Sequence, residues 1–60
     1  MHTRYTKRGA IVETQDVNTA DPEIAKGTAI VTLGRLRGEG KADGWEIVNE
    51  IGKRIMTSEN

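Results

Sequence analysis

At 60 residues and 6.6 kDa the chain has room for one small domain, residues 1–60, which excludes two-domain architectures and most enzyme folds. The apolar set is 35% of the chain, with no Phe, no Cys and only Tyr5 and Trp45 as aromatics, so the core is thin and no disulfide can reinforce it. Nine Lys and Arg balance nine Asp and Glu, which removes the basic excess that marks a small nucleic-acid binder.

Residues 1–8 form a basic N-terminal arm through Arg4, Lys7 and Arg8, with Tyr5 among them. Such an arm suits contact with a base or phosphate, or packing of Tyr5 on a neighbouring subunit. His2, the only histidine, lies in this arm with no ligand at metal-binding spacing, so metal or imidazole chemistry is not expected. Residues 9–36 read as two strands and a connecting loop. The first strand is Gly9 to Thr14 and the second Thr28 to Leu33, both rich in β-branched side chains. Ile11-Val12 and Ile30-Val31 break strict alternation, which predicts cover on both sheet faces. Between the strands, Asp21 as N-cap, Pro22 at the first helical position and Gly27 past the end fit a single helical turn; an irregular loop fits as well.

From Ala42 to Met56, Trp45, Val48, Ile51 and Ile55 recur at three- and four-residue steps, which predicts an amphipathic helix. Its stripe, with Val48, Ile51, Gly52 and Ile55, is the candidate oligomer interface, where Gly52 would admit close approach of a neighbour. The architecture is an α+β class ββα unit, antiparallel strands with one C-terminal helix, its sheet extended by homodimerisation.

The Gly34–Gly44 segment is the candidate ligand site. Read as the entry to a helix, it would offer backbone amides at Gly38 and Gly40 to an anion, with Arg35, Arg37 and Lys41 as counter-charges and Trp45 or Tyr5 to stack on a base. It matches neither the Walker A pattern nor the dinucleotide fingerprint. The acids Glu13, Asp16, Asp21 and Glu23, grouped with no base among them, are the candidate partner-binding set, able to imitate nucleic-acid phosphates toward a basic protein surface. Ser58 and the threonines have no base to activate them, so a non-enzymatic role is expected, with no cofactor. The longest apolar run, Ala29 to Val31, is too short for a membrane span, and a polar start is unlike a signal peptide; a cytoplasmic protein is expected.

Ala29-Ile30-Val31 followed by Arg37-Gly38-Glu39-Gly40-Lys41-Ala42-Asp43-Gly44-Trp45-Glu46-Ile47-Val48 resembles the strand, charged turn and helix order of short phage and prophage accessory proteins. The resemblance spans residues 9–56. It implies a viral accessory role in the host cytoplasm, in which such proteins act stoichiometrically, blocking a host nuclease, a CRISPR effector or another defence component. Others in that group sequester cyclic nucleotide signals between subunits. Three readings follow: an anti-defence (anti-CRISPR-like) inhibitor of a host defence protein, an oligomeric sponge for a cyclic nucleotide ligand, and, least favoured by the neutral charge, a small DNA-binding regulator.

Overall fold

The computed structural model describes residues 1–58; Glu59 and Asn60, the end of the 1–60 domain, lie outside the described residues. It is a small α+β domain of four antiparallel strands and one helix. In chain order these are β1 (His2–Lys7), β2 (Ala10–Asp16), α1 (Pro22–Gly38), β3 (Gly44–Val48) and β4 (Arg54–Thr57). The sheet order is β2-β1-β3-β4.

The expected basic arm is therefore β1, an inner strand. Thr3 and Tyr5 alternate inward as a half-buried strand requires, opposite Ile47 and Trp45 of β3. Lys7 and Ala10 pair across the two-residue loop Arg8-Gly9, with φ of 54° and 83°. Positive φ at both central residues is the hairpin turn whose twist matches that of the strands. In β2 the register slips between Tyr5–Glu13 and Thr6–Ile11, leaving Val12 as the extra residue of a bulge. The bulge explains why Ile11-Val12 breaks alternation: Glu13 shares the face of Tyr5, whereas Ile11 lies with Thr6 on the opposite face.

The second expected strand, Thr28–Leu33, lies inside α1. The start signal is as the sequence indicates: Asp21 is the N-cap, its carboxylate accepting from the Glu23 amide at 3.0 Å, and Pro22 opens the helix. Gly27 does not end it. Ala25 is followed by Ala29, Leu33 and Leu36 in a buried stripe that outweighs the β preference of Ile30 and Val31. The helix ends instead in a Schellman motif: Gly40 at φ 72° donates to the Arg37 carbonyl at 3.0 Å, and Lys41 to Leu36 at 2.8 Å.

Residues 42–56, expected as the helix, are the β3–β4 hairpin. Asn49 organises its turn, with its side-chain oxygen accepting from the amides of Ile51 at 3.1 Å and Lys53 at 2.9 Å, while Gly52 takes φ 87°. No atom of the described residues lies within 4 Å of a Cβ placed on Gly52, so turn geometry, and not close approach, requires glycine there. Close approach occurs at Gly44, where a Cβ would meet the Thr6 hydroxyl at 3.0 Å and that of Ser58 at 3.1 Å.

α1 lies over β3, β1 and β4. Its stripe packs with Tyr5, Ala42, Trp45 and Ile47 in one core, flanked by Met1, Val17 and Met56. The Tyr5 hydroxyl donates to Gln15 Oε1 at 2.6 Å, and burial raises its pKa above the usual 10.0. Thr3 is fully buried, yet its hydroxyl has no hydrogen-bond partner among the described residues. Such an orphan costs about 1–3 kcal/mol. Thr3→Val, which replaces it with a methyl of similar size, is expected to raise stability by about 1 kcal/mol and the melting temperature by roughly 4–8 °C. Thermal unfolding followed by circular dichroism checks this, and a lower melting temperature would show that the hydroxyl is satisfied.

Candidate partner-binding edge

The two sheet edges differ. β4 is four residues long and carries Arg54, which blunts it. β2 runs for seven residues without Pro or Lys, pairs only with β1, and has no backbone cover from α1 among the described residues. Ile11 and Val12, about half exposed, stand on it. A long edge of this kind is open to an added strand, because its outward N–H and C=O groups have no sheet partner.

The four candidate acids divide between β2 and the start of α1 and do different work. Glu13 and Asp16 are exposed on β2 itself. Asp21 is committed to capping α1, and Glu23, in its first turn, complements the positive end of the helix dipole.

The candidate anion site is overturned in its geometry. Arg35 and Arg37 lie in the last turn of α1, the carbonyl end, where cations offset the negative pole. The amides of Glu39, Gly40 and Lys41 all donate to helix carbonyls, so they offer an anion nothing. The cations are similarly engaged: Arg35 lies 3.9 Å and Lys41 3.2 Å from Glu39, Arg37 donates to the Asp43 carbonyl at 3.3 Å, and Lys7 reaches the Gly40 carbonyl. Gly38 is the last helical residue. Tyr5 and Trp45 are buried in the core and present no face for base stacking. The basic arm fares likewise, for Arg4 lies 3.4 Å from Glu46 across the open sheet face.

Nor do the four oligomer-interface candidates share a face. Val48 is buried in β3, Ile51 projects from the hairpin tip beside Gly52, and Ile55 sits at the irregularity of β4.

His2 is the residue whose surroundings the sequence hid. Its imidazole contacts Asp16 through Nδ1 and lies 3.4 Å from Glu50 through Nε2. The Met1 amino group donates to the carbonyls of Val17 at 3.0 Å and Thr19 at 3.3 Å and lies 3.2 Å from Glu50. These groups line an open depression of about 300 Å³ at the Asp16 end of β2. Pairing of β1 with both β2 and β3 makes this cluster, bringing together residues 14 and 48 positions apart, and no local spacing announces it. Among the described residues no group of three or more His, Asp or Glu side chains is arranged to hold a metal ion, and no helix is long and apolar enough to cross a membrane. No protein-family model, no curated protein and no solved structure matches the chain.

Glu50 is held below its ordinary 4.5, first by the hydrogen bond from the Met1 amino group, then by that group's charge and by His2. A depressed carboxylate pKa contributes stability that is present above the unfolded value and lost as pH falls through the folded one. Glu50→Gln is therefore expected to lower the melting temperature slightly at neutral pH, with the two proteins converging below pH 4.5, so that the variant shows the shallower acid decline. A variant whose profile overlays that of the wild type at every pH would show that the contact is lost in solution.

Proposed function

We propose that the protein is a non-enzymatic binding module that captures a protein partner along the β2 edge and acts by occupancy. The observation that carries this reading is the seven-residue unpaired edge with Ile11 and Val12 exposed beside Glu13 and Asp16. Backbone pairing supplies affinity, the apolar pair a contact that excludes water, and the acids select a segment bearing Lys or Arg. The working unit in this reading is a homodimer. The likeness to phage accessory proteins favours a host defence component as the target, such as a CRISPR effector or nuclease, whose nucleic-acid-binding surfaces are basic. A cyclic-nucleotide sponge has less support, since the amides and cations on which it depended are engaged within the α1 C-terminus.

Titration against purified CRISPR effectors and nucleases that cleave a reporter DNA tests the proposal. Cleavage should fall to an end point near molar equivalence. Ile11→Lys/Val12→Lys should weaken inhibition by at least about tenfold, or 1.4 kcal/mol, and Glu13→Lys/Asp16→Lys should weaken it most at low salt. Inhibition at far below equivalence, or an edge variant as potent as the wild type, would overturn it.

A further inference from the structure

The outward face of α1 has the wrong composition for a solvated helix. Ile24 and Ile30 are more than half exposed and Val31 is 76% exposed. On the same face, Gly27 and Gly34 sit inside the helix with no atom of the described residues within 4 Å of the Cβ either would carry. Glycine is the poorest helix former after proline, and nothing in the monomer uses the space these two leave. Residues 24, 27, 31, 34 and 38 follow alternating steps of three and four, the spacing of a seam between two helices. The buried stripe of Ala25, Ala29, Leu33 and Leu36 lies on the other side of the helix.

We infer that this face packs against the same face of a second copy as an antiparallel helix pair. With the two-fold axis crossing the seam at the level of residue 29, Ile24 falls over Gly34 of the second copy and Val31 over its Gly27. Ile24 and Val31 then each meet a glycine, which lets the helix axes approach to the short end of the usual 8–10 Å. Charge decides the direction. Glu23 and Arg37 lie two heptads apart on one flank of the seam, acid at the start of the helix and base at its end. Antiparallel packing sets Glu23 of one copy beside Arg37 of the other, twice, and aligns the helix dipoles favourably. Parallel packing would put the two copies' Glu23 and Arg37 on opposite flanks of the seam and form neither pair. Glu23 has no ion-pair partner among the described residues, and Arg37 spends one guanidinium nitrogen on the Asp43 carbonyl. A seam from Ile24 to Gly38 is about 21 Å long and buries less than the standard 1,200–2,000 Å², so the dimer is of the weak, exchanging kind.

Sedimentation equilibrium from about 10 µM to 1 mM tests this, since micromolar to millimolar dissociation constants fall in that range. The wild type should shift from monomer toward dimer. Gly34→Leu should melt a few degrees higher when dilute, through better helix propensity, yet dimerise at least tenfold more weakly because Leu blocks the seat of Ile24. Val31→Glu, at an exposed position, should remain folded and also weaken the dimer. Glu23→Arg should weaken it, and Glu23→Arg/Arg37→Glu should restore it. A monomer throughout the range, a dimer indifferent to Gly34→Leu and Val31→Glu, or a double exchange that fails to restore association would overturn the inference. So would a dimer abolished instead by Ile11→Lys/Val12→Lys, which would place the contact between copies on β2. None of these outcomes depends on partner capture, so the two readings fail separately.

Discussion

A single helix must supply the whole apolar face against which a four-stranded sheet packs, and the rest of the structure is arranged around that shortage. Tyr5 and Trp45 are the only aromatic side chains, and both lie under α1 on adjacent strands. Ala25 and Ala29 on the helix leave room for them, and Leu33 and Leu36 close the core toward the C-terminal end. Because Tyr5 is on the first strand, that strand must lie inside the sheet, and β2 is left at the edge. A core this small has no side chain to spare for covering β2 as well. The exposed edge is thus a consequence of where the two aromatics sit.

How far the sequence discloses this can be judged residue by residue. The α+β class and the start of α1 at Asp21-Pro22 are legible, because capping is local chemistry. The extent of α1 is not, since Gly27 and the run Thr28 to Val31 carry local signals for a stop and a strand. Only packing of Ala25, Ala29, Leu33 and Leu36 on a sheet overrides them. For residues 42–56 the pattern is ambiguous: Trp45, Val48, Ile51 and Ile55 fit a helical period, while Trp45 and Ile47 fit a strand. Asn49 and Gly52 are the local evidence for a turn, and both are used as such. The Arg8-Gly9 turn lacks the usual Asn or Asp at its first position, which hides a strand in what reads as a basic arm.

The Gly/Arg segment shows how one set of residues can support opposite readings. Glycine, arginine and free amides at the start of a helix hold anions; the same residues at its end are a Schellman cap with its balancing cations. The difference is one of chain direction alone. Gly40 followed by Lys41, with Arg35 and Arg37 in the preceding turn, is the local pattern that decides for the end. Once those cations are assigned to the cap, the net neutrality of the chain takes on a structural meaning. Arg35 and Lys41 lie against Glu39, Arg4 and Arg54 against Glu46, and His2 between Asp16 and Glu50, so a large part of the charge is spent within the fold.

Of the exposed apolar side chains, Ile11 and Val12 stand on the β2 edge and Ile24, Ile30 and Val31 on the outer face of α1, two separate surfaces. The β2 edge belongs to the sheet, and the outer face of α1 points away from it. Contact at one leaves the other open, so the proposed partner capture and the inferred helix pair are compatible. A two-fold pair through α1 would carry two β2 edges, one on each copy. Two modest strand-addition sites on one particle then act together on a target that repeats its binding segment, since the second contact forms at the high effective concentration set by the first. A target with a single segment gains nothing from the pairing. For a chain of 60 residues with so small a core, affinity can thus be gained through valency where it cannot be gained through a larger interface.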